Sequence, residues 1–199
     1  MTYKTKIKTL RKIGCKISSF TKKKMNKRKN KPGEHSFFYS KKTSLKGLFT
    51  ERLKNKQKLK LIFCINERQL KNYIKLILGF DKKTPFISMY NLLHMRFDYL
   101  VYNLNFAKTI LQARQLISHG CFFLNGIKQK RPGYICTVNS LITTNSSLAL
   151  NNLNQYLKNR VHSENLNDVT ERYTMRVDEP KVLNLELLQL IRNAFEFYL

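Results

Sequence analysis

The chain has 199 residues, with 38 Lys or Arg against 12 Asp or Glu, a net charge of +26 and 42% hydrophobic residues. A surplus of this size exceeds what solubility needs and implies a polyanionic partner, and the longest apolar run, Leu61–Ile65, is too short to span a membrane. The charge is concentrated at the front: residues 1–60 carry 21 basic and two acidic side chains, whereas residues 145–199 carry six and seven.

Residues 1–33 hold 13 Lys or Arg and no acid, and their apolar residues read as scattered. Like charges repel there, and little apolar surface offsets a backbone ordering cost of about 1–2 kcal/mol per residue. The expectation is that this segment does not fold alone. It reads either as an arm that orders between nucleic-acid phosphates or as a removable import peptide, which is also basic and acid-free. Lys in place of Arg favours the arm, taken as residues 1–49.

From Thr50 the pattern turns helical. Leu53, Leu59, Leu61, Ile62 and Phe63 lie among Lys54, Lys56, Lys58 and Lys60, a basic helix with its apolar part near the end. Asn66 followed by Gln69 has the spacing of a capping box, Leu70, Tyr73, Ile74, Ile77 and Leu78 form a packing stripe, and Gly79 is expected to close this second helix. Arg68, Lys71 and Lys75 fall off the stripe. Such a charge run is either a solvated face or a phosphate-binding one.

Between Thr84 and Thr144 there are six Lys or Arg and one acid, Asp98. Two short helices are expected, the second with Lys108, Gln112, Gln115 and His119 on one side and Ala107, Ile110, Leu111, Ala113 and Ile117 on the other. Gly120 ends it, Cys121–Leu124 reads as a buried strand, and Asn125-Gly126 is a tight hairpin turn whose central residues need positive φ. The hairpin returns through Ile127–Lys130. Arg131-Pro132-Gly133 breaks it, and Tyr134–Val138 and Leu141–Thr143 resume strand character. Helical projection puts Arg96 and Arg114 inside apolar arcs, with Asp98 on the far side of its helix from Arg96. Each Arg then reaches either backbone carbonyls or a phosphate, where a planar fork outperforms Lys.

The runs MRFDYLVYNLNFAKTILQARQLISHGCFFLNG (95–126) and ERLKNKQKLKLIFCINERQLKNYIKLILG (51–79) resemble the S4 family of small-subunit ribosomal proteins. The first resembles that family's RNA-binding module, which some pseudouridine synthases and tyrosyl-tRNA synthetases share. The second resembles the helical segment that only the ribosomal members carry ahead of it. Shorter matches lie at Pro32-Gly33-Glu34-His35 and Glu196-Phe197-Tyr198. The resemblance implies an α+β fold: a basic arm (1–49), a helical domain begun by 50–88, an inserted module of two helices and a small antiparallel sheet (89–144), and a segment (170–199) returning to the helical domain. It implies a protein that clamps the 5′ region of small-subunit rRNA during assembly, near the messenger entrance and beside other small-subunit proteins. The implied RNA ligands are Lys31, His35, Arg52, Lys54, Lys56, Lys58, Arg68, Lys71, Arg96, Lys108, Arg114, His119, Asn125, Lys128, Lys130, Arg131 and Tyr134. Recognition of RNA shape and backbone is expected rather than of base sequence.

The chain departs from the family where Asn139-Ser140 replaces an acidic residue before the last module strand, and where Ser36 follows the tetrapeptide in place of Gly. The zinc cluster that some members carry near the amino terminus has only Cys15 here. Cys64, Cys121 and Cys136 sit in or beside apolar segments and no two Cys have C-x-x-C spacing, so no metal or other cofactor is expected. No nucleophile elbow, phosphate-cradling glycine loop or acid pair points to an enzyme, membrane partner or small-molecule substrate.

Residues 145–169 are rich in Asn and Ser and read as a loop or insert with a short helix; Val182–Phe197 reads as a terminal helix starting near Asn184. Nineteen Asn, 27 Lys and no Trp suggest an AT-rich coding sequence. This fits a mitochondrion-encoded ribosomal protein, with a plastid or an AT-rich bacterium as alternatives. An RNA-modifying or tRNA-charging enzyme using the same module requires a catalytic domain that the chain lacks, and the helical run Arg52–Phe80 argues against a free-standing RNA chaperone.

Overall fold

The computed structural model describes residues 6–21, 32–33, 47–81, 83–160, 173–176 and 184–198. In chain order its elements are α1 (Lys6–Ile13), α2 (Leu48–Ile62), α3 (Glu67–Phe80), α4 (Pro85–His94), α5 (Phe97–Asn103), α6 (Ile110–Ser118), β1 (Phe122–Leu124), β2 (Ile127–Lys128), β3 (Leu141–Thr144), α7 (Ser147–Arg160), β4 (Tyr173–Arg176) and α8 (Leu185–Tyr198). The class is α+β. The chain divides into two compact units, one of Met1–Tyr90 with Leu183–Leu199 and one of Asn91–Val182.

In the first unit residues 6–21 of the leader are folded, packed on α2 rather than alone. Ile7, Leu10, Ile13, Ile17 and Phe20 recur every three or four residues, Leu10 and Phe20 are fully buried, and Ser19 Oγ donates to the Ile62 carbonyl at 2.9 Å. Burial at about 1.5–3 kcal/mol per large apolar side chain offsets the ordering cost that the charge count alone made prohibitive. In α3, the Gln69 side chain accepts the Asn66 N–H at 3.1 Å and completes the capping box. The helix does not stop at Gly79, which is not among the positive-φ glycines, but runs to Phe80. Asp81 caps the junction: its N–H donates to the Ile77 carbonyl, and its carboxylate accepts from the Lys83 and Thr84 amides and from the hydroxyls of Thr84 and Ser88. These bonds, Ser88's first, hold its carboxyl below the usual value. The last helix, α8, starts where Asn184 Oδ1 accepts the Leu187 N–H at 3.2 Å, and it packs along α2 by burying Leu187, Leu190, Ile191, Ala194 and Phe195.

The second unit sets three helices against one face of an antiparallel sheet of order β2-β1-β3-β4. Phe122, Leu124 and Ile142 point into a core with Phe97, Val101, Phe106, Ile117, Ala149 and Leu153, and the Phe106 and Phe97 rings meet Phe122 edge-on at 5.6 and 6.1 Å. Asn125 (φ 50°) and Gly126 (φ 82°) make the two-residue hairpin turn, and Gly120 (φ 75°) ends the helical segment before β1. Three features differ from the sequence reading. Tyr134–Val138 is no strand; only Ile135 forms an isolated bridge, with Arg96. Ser147–Arg160 is a full helix, because Ala149 and Leu153 give it a core-facing side despite the Asn-rich composition. Tyr173–Arg176 pairs with β3, from Leu141↔Arg176 to Thr144↔Tyr173, and so belongs to the sheet of this unit rather than to the returning segment.

Candidate nucleic-acid interface

In the first unit the basic face of α2 and α3 is partly consumed internally. Lys56 is buried: its Nζ donates to Glu67 Oε1 at 2.9 Å and lies 3.6 Å from the centre of the Phe197 ring. Lys60 Nζ takes the other oxygen at 2.6 Å, and the Tyr198 hydroxyl donates to Glu67 as well. Burial pushes the Glu67 carboxyl up, but the bonds from Lys60, Tyr198 and Lys56 outweigh it and bring the pKa down to about 2. Burial and the Glu67 charge push the Tyr198 phenol up. Arg52 pairs with Glu196 at 2.8 Å. Lys56 as an RNA ligand is therefore corrected to a structural cation. Lys54 and Lys58 are half-buried, whereas Arg68, Lys71 and Lys75 are exposed.

In the second unit the exposed cations among residues 108–134 lie on two adjoining rims. One is the α6 side: Thr109 Oγ1 accepts the Gln112 N–H, Gln112 Oε1 accepts the Lys108 N–H at 2.9 Å, and Lys108, Gln115 and His119 are exposed. Lys108 sits one residue before the helix cap rather than within the helix. The other rim is the hairpin and the loop after it, with exposed Asn125, Lys128, Lys130, Arg131 and Tyr134. The rims meet where the Lys128 side chain lies over Gly120, next to His119; a Cβ on Gly120 would fall 2.2 Å from Lys128 Cε. Asn125 also serves the fold, since its Oδ1 accepts the Leu141 N–H at 2.8 Å.

Arg96 and Arg114 converge on Asp98. Arg96 Nε and Nη2 reach Oδ1 and Oδ2 at 3.1 and 2.9 Å, and Arg114 Nε reaches Oδ2 at 2.7 Å. Side-chain exposure is 2% for Arg96, 1% for Asp98 and 23% for Arg114. The placement of Asp98 across the helix from Arg96 is thus overturned. The chain breaks at Met95 and Arg96 caps α5, so one helical projection cannot run through both residues. Arg96, with its guanidinium buried, does not present itself to a phosphate. Cys136 beside this group has its thiol pushed up to about 12, by burial first and then by Asp98, and is chemically quiet. Lys31 and His35 lie outside the described residues.

A model of the S4 domain matches residues 95–142, and a model of the ribosomal protein S4/S9 N-terminal domain matches residues 2–95. The small ribosomal subunit protein uS4c of Prototheca wickerhamii is 34% identical over 164 residues, covering 81% of this chain and 75% of the relative. The chain belongs to the S4 family of small-subunit ribosomal proteins. Other relatives are uS4c of Tupiella akineta, 36% identical over 74% of this chain and 71% of its own, and the bacterial uS4 of Treponema denticola, 29% identical over 96% and 94%. The chain is thus similar to plastid and bacterial members. Sequence reasoning noted Asp98 but did not pair it with the two Arg side chains, although it centres a buried charge cluster. Its signal was available: it is the only acid between Thr84 and Thr144, and it lies two residues from one Arg and sixteen from the other. Among the described residues no group of three His, Cys, Asp or Glu side chains is arranged to hold a metal, and no helix is long and apolar enough to cross a membrane.

Proposed function

We propose that this protein is a structural constituent of the small ribosomal subunit that binds the 5′ domain of small-subunit rRNA directly and supports subunit assembly and translation beside neighbouring ribosomal proteins. The observation that carries this reading is the exposed cationic double rim of residues 108–134 on a module whose apolar faces are buried, directly after a second family match. Lys108, His119, Lys128, Lys130, Arg131 and Tyr134 form one RNA surface and Lys54, Lys58, Arg68 and Lys71 another; Lys31 and His35 of the leader are further RNA ligands in this reading. Arg114 contributes through its exposed fraction and Arg52 through the part of its guanidinium not taken by Glu196. The chemistry is electrostatic capture, in which released counterions give a slope of log K on log salt of about −0.7 to −0.9 per phosphate. Filter binding of the full chain to small-subunit rRNA between about 50 and 300 mM salt tests it: a steep loss is expected, and a flat response rejects it. Retention on the small subunit after a high-salt wash separates a resident protein from a free-standing RNA-binding factor, which washes off.

The protein works in the mitochondrial ribosome. The Lys- and Asn-rich, Trp-free composition supports this. A plastid ribosome is the second reading, favoured by the uS4c relatives. Fractionation of cell organelles distinguishes the two.

A further inference from the structure

We infer that Asp98 is a positioning residue that fixes the spacing of the two cationic rims, so that the module selects folded RNA over an unstructured polyanion; the inference rests on the rRNA reading above. The carboxylate is 1% exposed and is itself no RNA ligand. It sits at the start of α5, where its Oδ1 accepts the Tyr99 N–H at 2.9 Å. Through Oδ2 it holds Arg114 of α6, the helix that carries Gln115 and ends at His119. Through both oxygens it holds Arg96, whose guanidinium nitrogens lie 3.6 and 3.7 Å from where a Gly133 Cβ would stand, against the loop that carries Arg131 and Tyr134.

The same segment is stitched to that loop through the backbone: Asp98 N–H donates to the Pro132 carbonyl at 3.0 Å, Phe97 N–H to Tyr134 at 2.8 Å, and Cys136 N–H to Met95 at 2.8 Å. One buried anion therefore links the α6 rim to the loop rim. A rigid pair of rims meets phosphates at one separation, which a folded RNA presents and a flexible strand does not. Arg suits both positions because its planar fork fixes direction as well as charge.

The test compares the full chain on a folded 5′-domain transcript of small-subunit rRNA and on poly(U) of equal length, well below the melting temperature. Wild type is expected to prefer the folded RNA. Asp98→Asn is expected to lose tenfold or more on the folded RNA while staying within twofold on poly(U); equal losses on both, or no loss on either, overturn the inference. Should Asp98→Asn not fold, Arg114→Lys decides, since it keeps the rim charge but not the Nε bond. Loss of folded-RNA affinity as large as that of Arg114→Gln supports positioning, and retained affinity marks Arg114 as a simple phosphate ligand and overturns it. A wild-type chain with no preference rejects the rRNA reading, and the inference with it.

Discussion

Glu67 in the first unit and Asp98 in the second each gather two cations, and these two clusters differ in depth and in cation. Glu67 holds Lys56 and Lys60 with its side chain 40% exposed, whereas Asp98 holds Arg96 and Arg114 with its side chain 1% exposed. In the first, water reaches the carboxylate, while the Lys56 and Lys60 side chains are largely covered. In the second, water is excluded from Asp98 and Arg96, and each of these two is committed once desolvated. The first cluster removes cations from a surface that would otherwise offer them to RNA. The second offers the surface only the exposed fraction of Arg114 and mainly fixes where the surface cations stand.

The largest expected effect is therefore at the buried cluster. Asp98→Ala should cost about 3–5 kcal/mol by urea unfolding, because it leaves Arg96 desolvated without its counter-ion; a cost below about 1 kcal/mol would remove the contrast. Glu67→Gln should cost about 1 kcal/mol, the scale of exposed ion pairs and single hydrogen bonds, with Lys56 still resting on the Phe197 ring. The pH dependence of the two proteins sharpens the point. The folded pKa of Glu67, about 2, lies below the ordinary 4.5, so its contribution is complete above pH 4.5 and is lost as pH falls toward 2. Wild type and Glu67→Gln should accordingly differ most above 4.5 and converge in acid, as followed by thermal melts across that range. The smallest stability effect belongs to an exposed rim cation. Lys130→Gln should leave stability within about 0.5 kcal/mol and flatten the rRNA salt slope by about 0.7–0.9, and an unchanged slope would remove Lys130 from the interface.

Local signals were readable from sequence where chemistry at fixed spacing decides the backbone: the Asn66–Gln69 box, the Asn125-Gly126 turn, Gly120, and the start of α8 at Asn184. Residues governed by tertiary contact were not. The charge of residues 6–21 masked an apolar stripe whose burial becomes visible only against α2. The Asn-rich α7 is held by two small core positions, Ala149 and Leu153, and β4 by pairing with a strand some thirty residues earlier, neither of which local periodicity records. The rim cations were legible as types, because charge on a polar face is a sequence property. Which cations the protein keeps for itself was not: Lys56 and Lys54 look alike in the sequence and differ because Phe197 and Tyr198 return to the first.

That return has a consequence for synthesis. The Tyr198 hydroxyl reaches Glu67 across 131 positions of chain, and α8 is the packing partner of α2. A polypeptide emerging from its amino end completes Asn91–Val182 while α2 still lacks its mate, so the middle unit can mature first and the outer one closes last. During that interval Arg52 awaits Glu196, and Lys56, already beside Glu67, awaits the Phe197 ring that covers it.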